Sequence, residues 1–196
     1  MPRLSRAERR LVTRQQLLDA AATVFARRGY AAASVDEIAD AAGYTKGAVY
    51  ANFETKQDLF LALMDRQTAQ QEQALARLAQ PGRPVGEAMT DLGQVAAPTD
   101  PEAWQWGLLT LEFLLYALRE PSLRAQLAER FESMRQYLAE QLAPYVAARG
   151  GAPRLDARDL AIVAMALSTG LGVQATVEPT ALSADLYART LERLLS

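Results

Sequence analysis

Glycine and proline fall between helical stripes along this chain, and that placement limits the fold more than any other feature. Pro81-Gly82-Arg83-Pro84, Pro98-Thr99-Asp100-Pro101, Glu120-Pro121, Gly150-Gly151-Ala152-Pro153 and Glu178-Pro179 each separate runs whose apolar residues recur with helical spacing. Proline has no amide to donate and clashes with the preceding turn, so these positions are stops rather than interiors. Strand-type alternation is missing from almost every segment. The chain therefore reads as all-α, with the later helices expected near 55–79, 85–95, 101–119, 121–148, 157–177 and 183–195. Pro144 lies inside one of them and must kink or end it.

The opening quarter is organised differently, in short helices with marked ends. Leu17, Leu18, Ala21, Val24 and Phe25 form a stripe on a first helix spanning about 6–28, and Gly29 is expected as its left-handed stop. Ser34 and Glu37 fit a capping box that starts a second helix burying Val35, Ile38, Ala39 and Ala42, which Gly43 closes. Thr45 can cap a short third helix whose Val49 and Phe53 share one face, and Thr55 to Asp58 repeats the capping pattern ahead of a long fourth. A short second helix, a glycine turn and a short third helix make a helix-turn-helix, in which the last helix enters the major groove. With Val49 and Phe53 inward, Lys46, Gly47, Ala48, Tyr50, Ala51 and Asn52 are left on other faces. Small residues there permit close approach. Asparagine can read adenine, tyrosine can donate to phosphate, and lysine can pair with phosphate or guanine. Lys56, at the amino end of the fourth helix, adds charge where free amides already suit an anion, and Ser34 is similarly placed on the second.

Charge supports this division. The net charge is −2, yet residues 1–56 hold nine basic against six acidic side chains, while the remainder holds twelve against seventeen. A polyanion-facing end and a body that faces something else follow from that asymmetry. The early arginines, Arg3, Arg6, Arg9, Arg10 and Arg14, suit either a solubilising tail or an arm on phosphate or minor groove. With no cysteine and no histidine, disulfides, thiolate nucleophiles, imidazole bases and zinc fingers are excluded, and no cofactor or metal is expected. The arginine-rich start has no apolar run behind it to serve as a secretion signal, which places the chain in a cytoplasm. Residues 160–177 carry no charge, but Ser168, Thr169, Gln174 and Thr176 and the lack of flanking Trp, Tyr or basic clusters favour a helix buried between protein surfaces over a membrane span.

Residues 17–64, LLDAAATVFARRGYAAASVDEIADAAGYTKGAVYANFETKQDLFLALM, resemble the TetR family of bacterial transcriptional regulators. The likeness is carried by LLDAA, Phe25-x-x-x-Gly29-Tyr30, Ser34-x-x-x-Ile38-Ala39-x-x-Ala42-Gly43, Lys46-Gly47-x-x-Tyr50-x-x-Phe53 and Lys56-x-x-Leu59-Phe60. The resemblance implies a helix-turn-helix DNA-binding domain at 1–54 and a helical ligand-binding and dimerisation domain at 55–196. It assigns Ser34, Thr45, Lys46, Gly47, Ala48, Tyr50, Asn52 and Lys56 to the DNA surface, with Tyr50 and Lys56 on phosphate. Ala48 and Ala51 offer no hydrogen bonds, so base reading leans on Lys46, thymine methyl contacts and DNA shape.

One helix-turn-helix covers a half-site, so a two-fold dimer on a palindromic double-stranded operator is expected. In the uncharged segment Ala164, Ser168, Gly172 and Thr176 form a small-residue strip beside Leu160, Val163, Leu167 and Leu171. With Leu186, Leu191 and Leu194, these are the expected homodimer surface of the last two helices, the resemblance supplying the four-helix pairing. Trp104, Trp106, Leu109, Glu112, Phe113, Tyr116, Met134 and Tyr137 are candidates to line a pocket for an apolar or amphipathic small-molecule effector, with Glu112 or Arg135 orienting it. Release from DNA on binding that effector, hence repression, is what the resemblance implies. The competing reading is a helical small-molecule-binding protein or enzyme without DNA function. Against an enzyme, Glu112 is the single acid in the apolar stretch 108–118 and has no evident partner base.

Overall fold

The computed structural model describes residues 5–78, 83–96, 101–148, 155–178 and 180–195, excluding the side chains of 77, 78 and 101–104. Among them every regular element is a helix: α1 Arg6–Ala32, α2 Val35–Ala42, α3 Lys46–Tyr50, α4 Lys56–Leu78, α5 Val85–Ala96, α6 Pro101–Ala117, α7 Pro121–Ala147, α8 Ala157–Val177 and α9 Leu186–Leu194. Most expected stops hold where they are described. Pro144 does not end α7, which runs on to Ala147. The turns around 81–82, 98–100 and 150–153 lie outside the described residues.

The chain divides into two compact units, Met1–Gln67 with Leu109–Phe113, and Thr68–Leu108 with Leu114–Ser196. The first is built on aromatic packing. Phe113, buried completely, stacks on Phe60 at 4.2 Å between centroids and meets Tyr30 edge-on at 4.7 Å. Phe25 closes the group against Phe60 at 5.2 Å and Tyr30 at 5.8 Å. Pairs of this kind contribute about 0.5–1.5 kcal/mol each beyond the apolar area they bury. Leu59, Phe60 and Leu63 of α4 are all buried, so this unit runs past the boundary at 54 that the motifs suggested. The early turns of α4 cover the same core that α1 and α2 bury.

Gly29 breaks α1, but not as the left-handed stop its position suggested. Its φ of 77° and ψ of 166° turn the chain sharply, and one further helical turn follows to Ala32. The new turn has free amides, and the Glu112 carboxylate accepts from Tyr30 N at 3.0 Å and Ala31 N at 2.8 Å. The positive φ requires glycine here, and a Cβ on residue 29 would stand 2.7 Å from Glu112 Oε2 and push the carboxylate off its amides.

In the second unit, Leu75, Met89, Leu92, Leu138, Leu142, Leu160, Ala164, Tyr187, Leu191 and Leu195 share one core, with α7 packed on α8 and α5 on α9. At its surface Glu132 joins Arg158 at 2.6 Å and Arg135 at 2.7 Å, and these guanidiniums pull its carboxyl down to about 2. α8 alone among the described helices is long and apolar enough to cross a membrane, with a mean hydropathy of 1.7. Within the single chain α8 is covered on one face only. Leu160, Ala161, Ala164 and Gly172 are covered, whereas Ile162, Val173 and Val177 are 43%, 40% and 82% exposed.

Candidate nucleic-acid interface

Short-range bonds set up α2 and α3. Ser34 Oγ accepts from Glu37 N at 3.1 Å while Glu37 Oε2 accepts from Ser34 N at 3.1 Å, the reciprocal cap expected there. Arg28 grips the same carboxylate at 2.7 Å and, with Ser34, holds it below the usual range. The Ser34 hydroxyl donates to Glu37 Oε2 and is therefore already occupied. Gly43 closes α2 at φ 71°. Thr45 then caps α3, its Oγ1 accepting from Ala48 N at 3.2 Å.

Val49 and Phe53 are buried, and this fixes which face of α3 points outward. Thr45, Lys46, Gly47 and Tyr50 lie exposed, and Ala48 is half-buried. The Tyr50 ring is 46% exposed and its hydroxyl has no hydrogen bond among the described residues. Lys46 Nζ donates to Asp36 Oδ2 at 2.8 Å, which raises its pKa, but both side chains are more than half exposed. An ion pair this exposed contributes little to stability, so a phosphate can displace the carboxylate. A Cβ at residue 47 would meet only Thr45 Oγ1, at 3.7 Å. Nothing in the fold demands glycine there.

Two expected contact residues have other engagements. Asn52 turns back into its own helix end: Nδ2 donates to Ala48 O at 2.9 Å and Oδ1 is buried, so its amide caps α3 rather than facing a base edge. Lys56 is similarly committed. Its ammonium donates to Tyr30 O at 2.9 Å, Ala33 O at 3.0 Å and Ala31 O at 3.3 Å, and lies 4.5 Å from the Tyr30 ring. Burial pulls its pKa below the usual lysine range, with the Glu112 carboxylate opposing. The free carbonyls at the end of α1 attract this cation, which leaves the early backbone amides of α4, not the side chain, for an anion.

Arg14 and Tyr44 were not picked out from the sequence as positioning groups. Arg14 lies 4.2 Å over the Phe53 ring and Nη1 donates to Asn52 O at 3.0 Å; Tyr44 Oη donates to Gln16 Oε1 at 2.6 Å and lies 3.2 Å from Thr13 Oγ1. Together they fasten both ends of α3 to α1. A faint signal existed for Arg14, one turn before Leu17 on the same stripe.

The expected effector-lining set divides. Leu109, Glu112 and Phe113 belong to the first unit, where Leu109 and Phe113 are buried in its core and Glu112 holds the turn after Gly29. The reason is that the turn after Gly29 opens with free amides, which Glu112 satisfies, beside an aromatic surface that Phe113 covers. Arg135 is tied to Glu132. Trp106, Met134 and Tyr137 are half-buried and Tyr116 exposed in the second unit, where the Tyr137 hydroxyl donates to Glu72 O at 2.7 Å. The side chain of Trp104 lies outside the described residues.

A capped three-helix unit whose last, short helix buries two residues and turns the others to solvent is the reading head of a helix-turn-helix DNA-binding regulator. The profile of the bacterial regulatory proteins of the tetR family matches residues 17–63, and that of the BetI-type transcriptional repressor C-terminal region matches residues 86–196. The chain belongs to the TetR family, which consists of transcriptional regulators rather than enzymes. It is 52% identical over 64 residues to the HTH-type transcriptional activator FasR of Mycolicibacterium smegmatis, a match covering 33% of this chain and 27% of that one. The chain thus spans about a quarter of that relative. Its fold is similar to that of the fatty acid degradation regulator FadR of Bacillus halodurans, with a TM-score of 0.75, 22% identity and coverage of 93% and 94%. Bacillus subtilis FadR, solved in complex with stearoyl-CoA, gives a TM-score of 0.70, 19% identity and coverage of 92% and 96%.

Proposed function

We propose that this protein is a dimeric, ligand-responsive repressor that binds a palindromic operator through α3. The observation that carries this reading is the row Thr45, Lys46, Gly47 and Tyr50, exposed on a helix whose Val49 and Phe53 are locked inward. Tyr50 and Lys46 take phosphate or base edges, Gly47 and Ala48 let the backbone approach closely, and Thr45 adds a hydroxyl at the helix start. Ser34 and Lys56 contribute through the amide ends of α2 and α4, since their side chains hold the head together. The match to a repressor-type C-terminal region favours repression over the activation named for FasR.

Dimerisation uses a different face of α8 from the one the sequence suggested. Leu160, Ala164 and Leu191 are consumed by the chain's own core. Ile162, Ala166, Gly170, Val173 and Val177 are exposed and fall on one helical face, an apolar strip suited to a second copy. This strip also accounts for the uncharged composition of α8 without a membrane, in keeping with a soluble cytoplasmic regulator. The effector sits in the second unit beside Trp106, Tyr116, Met134 and Tyr137, and is apolar or amphipathic. The stearoyl-CoA bound to the Bacillus subtilis neighbour makes long-chain acyl-CoA the first class to test.

Selection of duplexes from a random pool, followed by anisotropy titration, tests the reading. A palindrome is expected, with tenfold or greater loss of affinity for Tyr50→Ala and Lys46→Ala and release of the duplex by stearoyl-CoA. Recovery of no sequence preference, or wild-type affinity in both variants, removes the α3 assignment. Failure of release removes the acyl class alone.

A further inference from the structure

The first turns of α1 precede any residue it buries, and they are built as helix. Ser5 Oγ accepts from Glu8 N at 3.2 Å, while Glu8 Oε2 accepts from Ser5 N at 2.7 Å, which satisfies free amides at both sides of the start. Residues 5–12 are exposed, and Leu17 is the first buried side chain. At about 100° per residue, Arg6, Arg10 and Arg14 share an arc of about 80° that also contains Leu17 and Ala21. The face that meets the core of the head therefore continues outward as a row of arginines.

Where that row leads is set by its inner member. Arg14 is fixed over Phe53 and to Asn52 O, at the carboxyl end of α3, and Thr13 and Gln16 hold Tyr44 beside the amino end. Thus the segments flanking α3 on both sides are tied to α1 at 13–16, and Arg10 and Arg6 lie about 6 and 12 Å from Arg14 along α1 at 1.5 Å of rise per residue. Their guanidiniums have no hydrogen bond or ion pair among the described residues. Glu8, the one acid in these turns, is consumed by the cap, whose bonds from Ser5 lower its pKa. Two unneutralised guanidiniums on a rigid helix, projecting beyond a groove-reading helix, match the charge of a phosphate backbone bordering that groove.

We propose that Arg6 and Arg10 form a second phosphate-gripping surface, which strengthens binding to any duplex and leaves base choice to α3. This rests on the α3 reading above and extends it. Each phosphate neutralised adds about 0.9 to the slope of log affinity against log salt. The test compares the full chain with the double variant Arg6→Gln/Arg10→Gln on the selected duplex and a scrambled one, across a salt series. With two heads on the operator the variant removes up to four phosphate contacts, so the slope should fall by roughly 2–4, with affinity for both duplexes lowered by the same factor so that their ratio holds. A control, Arg124→Gln/Arg193→Gln, alters net charge equally on exposed positions of α7 and α9 and should leave the slope alone. An unchanged slope in the Arg6/Arg10 variant, or an equal fall in the control, overturns the row while sparing α3. If the unaltered protein binds neither duplex, the α3 reading falls and the row falls with it.

Discussion

Gly47→Ala should stabilise the protein while weakening it on DNA, and this opposition of sign makes the substitution informative. Glycine within a helix costs roughly 0.5–1 kcal/mol relative to alanine because more backbone freedom is lost on folding. At residue 47 nothing in the fold recovers that cost, since the added Cβ would meet only Thr45 Oγ1 at 3.7 Å, an ordinary contact. Because α3 has five residues and Gly47 lies in its first turn, the gain should fall near the lower end of the range, about 0.5 kcal/mol. In a chain of this size that raises the melting midpoint by about 1–2 °C. On the operator, the same methyl separates the helix from the groove floor, and a tenfold loss of affinity, about 1.4 kcal/mol, is expected. Urea unfolding and anisotropy on one preparation measure both effects. Destabilisation would show that the space beside residue 47 is not open, and unchanged affinity would show that the backbone there does not approach the duplex.

Lys56→Ala removes a cation shared by three carbonyls, and with charged hydrogen bonds worth about 1.5–3 kcal/mol the head should lose roughly 2–3 kcal/mol in urea unfolding. Wild-type stability with impaired DNA binding would return Lys56 to the phosphate role its motif suggested. Tyr187→Phe should be neutral or stabilising by about 1 kcal/mol, because the hydroxyl is buried without a partner among the described residues; a clear loss in thermal unfolding would reveal one. Glu132 has a folded pKa of about 2, below the ordinary 4.5, so its contribution is present above pH 4.5 and is lost as pH falls toward 2. The stability difference between wild type and Glu132→Gln, followed by denaturant titration, should shrink through that window; a difference that stays constant would refute the ion-pair account.

Much of this was legible in the sequence because it is decided within four residues along the chain. The serine, threonine and glutamate caps, the stop at Gly43, and the inward set of Val49 and Phe53 follow from helical spacing and from free amides next to side chains that can satisfy them. The outward row of α3 follows by subtraction. What only the tertiary structure decided was how long polar side chains are engaged. Glu112 meets the amide of Tyr30 from 82 residues away, and Lys56 meets its carbonyl from 26. By residue type and spacing Glu112 suits an effector and Lys56 a phosphate, yet both satisfy the backbone around the break at Gly29. The same reason separates the two faces of α8: its composition announces an apolar helix, but which strip its own core consumes depends on α7 and α9, whose positions no local spacing encodes.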